Sequence, residues 1–236
     1  MKVITYNLHK GRGPRNRDIL ADVIAAIEAR APDLLVCQEV HHGLSDELHQ
    51  SRVITAALGH AHVFGPNVFK RAGCHGNATF TRLTVSRYVN VNITESLLER
   101  RGMLRTWLLA DSGPLELLNV HFSLTGRQRH RQWLRLLASL PDDPQVPVLA
   151  CGDFNDWRGV LDRHALRSGL LQNAMWSLPK RERLTFPARR PLLALDRIYF
   201  RNLRLVGVRV LSGHPWDELS DHLPVEAEFA AGEPES

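Results

Sequence analysis

The 236-residue sequence contains no apolar run near the roughly 18–20 residues of a membrane-spanning helix. Cysteine is scarce: the three residues, an odd number at wide spacing, form neither a disulfide framework nor a zinc-binding pattern. Internal repeats, low-complexity tracts and linker-like segments are also absent. Hydrophobic residues make up 44% of the chain, which excludes wholesale disorder and is enough for a substantial core.

The charge balance favours anionic partners. The formal net charge is +5, as is common among proteins that meet nucleic acid, phospholipid surfaces or phosphorylated metabolites. The chain enters a strand-like pattern at once, without an apolar signal segment, so we expect a cytoplasmic protein. Its length predicts a single domain over residues 1–229 and a disordered tail over residues 230–236. No obligate protein partner is evident.

Short apolar runs alternate with helical periodicities along the chain. Helices are predicted over residues 18–30, 46–58, 127–140 and 160–168. Strands are predicted over residues 3–6, 33–40, 77–85, 105–109, 115–122, 147–150, 195–200, 205–211 and 224–229. Loops are expected over residues 67–76 and 180–193. Many strands with a few interspersed helices favour an α+β fold, a four-layered α/β/β/α sandwich of two packed mixed β-sheets flanked by helices.

Polar side chains recur at the ends of the predicted apolar strands. They are Asn7, Glu39, His121, Asp153, Asn155, Asp196, Asp221 and His222. Carboxylates and imidazoles beside such apolar strands are costly unless they are paired or bind a metal. Gathered at one edge of a sandwich, they would form one acidic site. Its oxygen ligands suit Mg²⁺ or Mn²⁺ better than zinc, and such an ion can polarise a phosphoryl oxygen.

Seven short segments surround these residues in a fixed order. They are Thr5-Tyr6-Asn7, Gln38-Glu39, Gly76-Asn77-Ala78, Asn119-Val120-His121, Gly152-Asp153-Phe154-Asn155, Leu195-Asp196-Arg197-Ile198 and Ser220-Asp221-His222. The ordered set resembles the endonuclease/exonuclease/phosphatase superfamily, the group that contains deoxyribonuclease I and exonuclease III. Each segment alone is a weak signal, but the ordered set is highly specific and covers the chain from residue 5 to about residue 225.

The resemblance implies a role for each residue around the metal. Glu39 would be the principal metal ligand, with Asn7 and Asp221 near the metal. His222 would be the general base or the group that polarises the phosphate, and Asp196 would hold its imidazole.

The remaining residues would handle water and phosphate. Asp153 and Asn155 would orient the nucleophilic water and the phosphate, and Asp153 is an alternative general base. His121 would contact the phosphate or act as an acid, and Asn77 would support substrate binding. Some nucleases of the family have an acidic residue where this chain has His9, which leaves open whether one or two metals bind.

Arginines near these segments favour a polyanionic substrate. The residues predicted to contact phosphates are Arg127, Arg129, Arg131, Arg135, Lys180, Arg181, Arg183, Arg189 and Arg190. For those between residues 127 and 135, a solvated helix face is the alternative. We expect a nuclease that acts on DNA or RNA. The alternative within the same superfamily is a phospholipid or small-molecule phosphoesterase. A third reading, a silent binding module, conflicts with the intact set of segments.

Overall fold

The computed structural model describes residues 1–96 and 98–230. The strands are β1 Lys2–Asn7, β2 Leu34–His42, β3 Ala61–Lys70, β4 Gly73–Thr81, β5 Thr84–Asn92, β6 Gly102–Ala110, β7 Gly113–His121, β8 Val148–Asp153, β9 Gln172–Asn173, β10 Asp196–Arg201, β11 Arg204–Val210 and β12 Val225–Ala230. The helices are α1 Leu20–Glu28, α2 Gln50–Leu58, α3 Gly126–Leu137, α4 Val160–Ser168 and α5 Trp216–Leu219. Within these residues, no helix has the length and apolar character needed to cross a membrane.

The strands form two six-stranded mixed sheets. The first sheet has the order β11-β12-β1-β2-β4-β3, and the second has the order β5-β6-β7-β8-β10-β9. Each sheet contains one parallel pair at its centre, β1 with β2 and β7 with β8. The carboxyl ends of parallel strands meet at one edge, so each sheet brings two strand ends together there.

Three apolar clusters hold the layers together. Val3 and Val36 pack between the sheets, whereas Ile4 faces α1 and α2 on the outside of the first sheet. Val120 faces Trp133 of α3 outside the second sheet. This alternation along each strand is what a sheet buried on both faces requires. The predicted four-layered α/β/β/α sandwich is therefore confirmed.

One loop prediction and one strand prediction were wrong, and both errors lie in the β3–β5 region. The predicted loop over residues 67–76 is the β3–β4 hairpin. Gly65 and Pro66 interrupt the apolar pattern of β3, and main-chain pairing with β4 overrides that weak local preference. The predicted strand over residues 77–85 is two strands separated by a turn. At the other end, Ala230 completes β12, and the rest of the predicted tail lies outside the described residues.

A buried histidine cluster lies between β2, α2 and β3. The ring of His42 stacks on His49 with centroids 4.2 Å apart and on Phe64 with centroids 3.6 Å apart. Its Nε2 atom lies 2.7 Å from Oγ of Ser51, which also contacts His62. Burial, followed by the positive charge of neighbouring groups, lowers the pKa of His42 to about 4, so the folded protein holds this imidazole neutral. Those neighbours are His49, His62, His41 and Arg52.

Acid should weaken the fold through His42. The pKa of His42 is lower in the folded state than in the unfolded state, so protons bind the unfolded chain first and stability is lost as pH falls from about 6.5 to about 4. We expect His42 to contribute about 2 kcal/mol to the loss in the free energy of unfolding between pH 7 and pH 4, measured by urea denaturation. His42→Phe should flatten this dependence, and the exposed control His214→Asn should not. An equally steep dependence in His42→Phe would contradict the assignment.

Candidate active site

Strand alternation points a set of polar side chains into the space between the sheets at one edge. In β8, Leu149 and Cys151 pack between the sheets, so Asp153, two residues further, lies on the same face. His121 ends the parallel strand β7 in register with Asp153. The antiparallel strand β10 begins at Asp196, directly opposite Asp153. The second sheet therefore delivers three candidate residues to one point.

The first sheet delivers its residues to the same edge. Asn7 ends β1 in register with Gln38 of β2, and Glu39 follows immediately. The hydroxyl of Ser220 donates a 2.8 Å hydrogen bond to the carbonyl oxygen of Asn7. This bond ties the 220–222 segment, which carries Asp221 and His222, to the end of β1.

Asp153 is the centre of the cluster. Its Oδ2 atom lies 3.2 Å from Nδ2 of Asn7, 3.4 Å from Nε2 of His121 and 3.7 Å from Nε2 of His222. Its Oδ1 atom accepts a 2.9 Å hydrogen bond from the backbone N–H of Asn155. The carboxylate is buried and surrounded by nitrogen atoms from both sheets.

The close approach of β7 and β8 requires the glycine before Asp153. Gly152 has φ of 144°, and a side chain there would collide with the backbone carbonyl of Val120. Glycine at this position therefore lets β7 and β8 pair closely just where their polar residues begin.

The imidazole of His222 has a fixed orientation. Its Nδ1 atom lies 2.9 Å from Oδ2 of the buried Asp196, so Nε2 faces Asp153. Burial alone would lower the pKa of His222, but the carboxylates of Asp196 and Asp153 outweigh it and raise the pKa to about 10. At neutral pH the ring is therefore an imidazolium that donates from both nitrogens. The predicted pairing of His222 with Asp196 is present in the structure.

Asp153 and His121 have shifted pKa values of opposite direction. Burial, with a contribution from Asp196, raises the pKa of Asp153 to about 6 even though His222 lowers it. Burial, followed by the guanidinium of Arg101, lowers the pKa of His121 well below 6.5. His121 is therefore neutral at pH 7, beside a carboxylate that is more basic than an ordinary aspartate.

Arg101 fixes the tautomer of His121, and the sequence reading missed this residue. A guanidinium nitrogen of Arg101 lies 3.4 Å from Nδ1 of His121, and another donates a 2.6 Å hydrogen bond to Glu99. Arginine only donates, so Nδ1 accepts and the single ring proton of His121 is on Nε2, facing Asp153. Arg101 stands in a polar segment without periodicity, and only the ordered loop before β6 brings it to the site.

Glu39 sits on a backbone irregularity. The pairing of β2 with β4 shifts register between Cys37 and Val40, and Glu39 within this bulge has φ of 54°. Left-handed backbone at a residue that is not glycine costs about 1–3 kcal/mol and is found mainly at functional sites. Burial would raise the pKa of Glu39, but His121, which is protonated in the acid range where Glu39 titrates, and Lys10 lower it to about 2, and Lys10 contacts the carboxylate directly.

Buried amides connect the two sheets behind the site. Asn77 is 1% exposed and donates to the carbonyls of Gly102, at 3.0 Å, and Asn119, at 3.1 Å. Its amide hydrogens are therefore used inside the sandwich, and substrate binding by Asn77 stays a prediction. Asn119 donates to Cys37 and accepts from Gln38 across the sheets. In the sequence, asparagine and glutamine side chains within otherwise apolar strands were the feature that could have predicted this inter-sheet network.

Asn155 also has a structural contact. Its side-chain nitrogen donates a 2.9 Å hydrogen bond to the carbonyl oxygen of Phe122, which follows β7. Its φ of 50° lies in the left-handed region that asparagine tolerates better than most residues. Asn155 is therefore fixed next to Asp153 by both its backbone and its side chain.

The predicted phosphate-binding arginines divide into two groups. Arg129 is buried, donates to the carbonyl of Leu124 and lies over the ring of Trp157, and Arg131 is ion-paired with Glu95 at 3.2 Å. Arg135 also pairs with Glu95, at 2.8 Å. The side chains of Arg131 and Arg135 remain about half exposed despite these ion pairs, and phosphate binding by the three arginines stays a prediction. Arg127, Arg131, Arg135, Arg189 and Arg190 are exposed.

The sequence matches the model described as "Endonuclease/Exonuclease/phosphatase family" over residues 4–222. The protein YbhP of Escherichia coli K12, described as uncharacterised, is 32% identical over 247 residues, which cover 97% of this chain and 95% of YbhP. A solved endonuclease/exonuclease/phosphatase from Beutenbergia cavernae is 20% identical with a TM-score of 0.80, covering 98% of this chain and 72% of that chain. The mannosyl-6-phosphatase Bt3783 of Bacteroides thetaiotaomicron is 17% identical with a TM-score of 0.75, covering 98% of this chain and 99% of that chain.

Proposed function

The chain belongs to the endonuclease/exonuclease/phosphatase family, and from that premise we propose that it hydrolyses phosphodiester bonds of DNA or RNA with a divalent metal ion. The observation that carries the proposal is the position of Asp153, whose Oδ2 atom lies within 3.7 Å of Asn7, His121 and His222. A carboxylate held by oriented donors is suited to position and deprotonate a water molecule for in-line attack on a phosphate.

Asp153 is the group placed to accept the proton of the attacking water. Its raised pKa, about 6, makes it a better base than an exposed aspartate while leaving it largely ionised at neutral pH. His222 keeps its proton, because Asp196 holds Nδ1, and its Nε2–H would donate to a phosphate oxygen. His121 presents an Nε2–H beside the same carboxylate and would stabilise the charge that develops on the phosphate.

The donor set fits a magnesium-type ion. Glu39, Asn7 and Asp221 would supply hard oxygen ligands, and the carboxylate of Glu39 already contacts the ammonium group of Lys10. No three histidine, cysteine, aspartate or glutamate side chains in the described part of the chain form a metal cluster. An ion held by few protein ligands and several waters is typical of Mg²⁺. When bound, it would polarise the phosphate and stabilise the leaving oxygen.

Surface charge supports a polynucleotide substrate. Arg127, Arg189 and Arg190 are exposed, and the chain carries a net charge of +5. Guanidinium groups bind phosphates in a bidentate manner, so several of them around one site suit a substrate with phosphates beyond the scissile one. A small chromogenic diester such as bis-p-nitrophenyl phosphate has no flanking phosphates.

Salt should therefore inhibit polynucleotide cleavage selectively. With three phosphate contacts, a fourfold rise in monovalent salt should reduce affinity for duplex DNA about 40-fold through the release of condensed counterions. We expect kcat/KM for plasmid DNA, single-stranded DNA or RNA to fall accordingly in Mg²⁺, and kcat/KM for bis-p-nitrophenyl phosphate to change far less. Turnover of phospholipid vesicles or a small phosphoester, with no polynucleotide cleaved, would refute the nuclease proposal in favour of the other phosphoesterase activity.

A further inference from the structure

A cleft of about 420 Å³ opens beside Asp221. Residues 9–16, called the 9–16 loop below, form one wall, and the 187–189 segment forms the other. Pro14 and Pro187 contribute apolar surface to these walls. The volume lies within the roughly 300–1,000 Å³ of small-ligand sites. The cleft therefore has room for one unit of substrate next to the candidate active site.

Two guanidinium groups in this cleft are available to a ligand. Arg12 lies 3.9 Å from Asp18, but Arg15 and Arg189 form no ion pair with any carboxylate that the structure describes. Both are exposed and permanently charged, so they suit a phosphate. Asp217 also lines the cleft, and its buried Oδ1 has no hydrogen-bond partner among the described residues. It can accept a hydrogen bond from a hydroxyl or amino group.

The backbone of the 9–16 loop is strained. His9, Lys10, Arg15 and Asn16 have φ values of 44°, 59°, 58° and 60°, although none of them is glycine. Each such residue costs about 1–3 kcal/mol and persists only where surrounding contacts enforce it, as in ligand clamps. One such contact is the 2.8 Å hydrogen bond from Nε2 of Gln50 to the carbonyl of Lys10.

Both walls of the cleft are anchored to the segment that carries Asp221. The loop approaches the main chain so closely that a side chain at Gly13 would meet the carbonyl of Leu219 at 2.7 Å. On the opposite wall, the N–H of Ala188 donates a 2.8 Å hydrogen bond to the carbonyl of Asp221. Arg189 follows Ala188 directly in the sequence. The cleft is therefore preorganised relative to the candidate active site.

We propose that this cleft binds the nucleotide next to the scissile bond, with Arg15 and Arg189 holding that nucleotide's own phosphate. The apolar walls accept one face of the sugar or base, and Asp217 accepts a hydrogen bond from a hydroxyl or amino group. This assignment rests on the proposed nuclease function and adds to it: the preferred substrate has a second phosphate one nucleotide from the bond that is cut.

The test is equilibrium binding of two small probes. Thymidine 3′,5′-bisphosphate carries a second phosphate that thymidine 5′-monophosphate lacks. By isothermal titration calorimetry in EDTA, we expect the bisphosphate to bind the wild-type protein at least about tenfold more tightly, because a second phosphate reaches charged donors. The combined change Arg15→Gln and Arg189→Gln should reduce that ratio to about threefold or less. Each single change should give an intermediate ratio.

Arg167→Gln is the matched control, since Arg167 is exposed on α4 and does not line the cleft. It should keep the wild-type ratio. Glycerol 1,3-bisphosphate separates a nucleotide site from one that binds only paired phosphates, and it should bind at least about fivefold more weakly than the thymidine bisphosphate. Equal binding of the two bisphosphates, or an unchanged ratio in the double variant, would overturn the assignment.

The binding assay stays informative whatever the outcome for the nuclease proposal. It uses no metal and no turnover, so failure of polynucleotide cleavage would refute the nuclease function without altering the binding ratio. Conversely, a protein that cuts DNA but binds the two thymidine probes equally would keep its proposed function and lose this cleft. All variants change exposed side chains, and thermal unfolding will verify that they fold.

Discussion

Asp153→Asn should reduce kcat for phosphodiester hydrolysis a thousandfold or more, about 4 kcal/mol of transition-state stabilisation. Asparagine preserves the shape of the side chain but cannot accept a proton from water. Its amide nitrogen would also stand against the donors of Asn7, His121 or His222, which all face the carboxylate. The loss should appear in kcat, because the group acts in the chemical step.

The pH dependence of stability should change in the same variant. Burial raises the pKa of Asp153 to about 6, so at pH 8 the folded state holds a carboxylate that the unfolded state would ionise more easily. A folded-state pKa above the unfolded value means that stability is lost as pH rises through that range, and the neutral amide removes this cost. We therefore expect Asp153→Asn to lose less stability than wild type as pH rises from about 4 to about 6, measured by urea denaturation.

Asp156→Asn provides the matched control three residues away. Asp156 is buried and accepts a 2.7 Å hydrogen bond from the N–H of Leu161 at the start of α4, a bond that asparagine can also accept. The kcat of the Asp156→Asn variant should stay within about threefold of wild type, because the groups that contact Asp156 hold the fold and take no part in the proposed chemistry. Near-normal kcat in Asp153→Asn, or an equal loss in Asp156→Asn, would show that Asp153 is not the base.

The fold was predictable because each central strand is a short apolar run with a definite end. β1, β2, β7, β8 and β10 are buried on both faces, and apolar runs of that kind indicate such strands directly. The outer strands β3 and β5 are partly exposed, so their side chains carry less of this signal. Their positions depend on hydrogen bonds to β4 and β6, which are contacts that a local reading cannot supply.

The candidate site was predictable where a residue terminates a strand, and unpredictable where a partner comes from elsewhere in the fold. Asp153 and Asp196 end or begin paired strands, so their meeting follows from topology. The contacts of Arg129 and Arg131 were unpredictable because charge in a helix does not reveal whether Trp157 or Glu95 lies against it. The same limit hid Arg101, whose role depends on an imidazole twenty residues later in the chain.

Glu39→Gln should abolish both metal binding and turnover while the fold survives. Glutamine keeps the size of the side chain and the strained backbone at residue 39, but it removes the charge on which a divalent ion depends. Lys10 contacts the same carboxylate, so ammonium and metal compete for it. Lys10→Met should therefore bind Mg²⁺ more tightly than wild type, by about three- to tenfold, since a competing positive charge is gone.

The opposite effects of Glu39→Gln and Lys10→Met on Mg²⁺ affinity can be measured without substrate. An ion present at one hundred times its Kd adds about 2.7 kcal/mol to the free energy of unfolding, so Mg²⁺ titration of the Tm reports its affinity. Wild type and Lys10→Met should show the rise, the latter at lower Mg²⁺, and Glu39→Gln should show none and lose at least about a thousandfold in kcat/KM. Full wild-type activity in excess EDTA, or an unchanged Mg²⁺ response in Glu39→Gln, would rule out Glu39 as the principal metal ligand. Lys10→Met then decides whether the lysine competes with the ion: weaker Mg²⁺ binding in that variant would mean that Lys10 helps to organise the carboxylate instead.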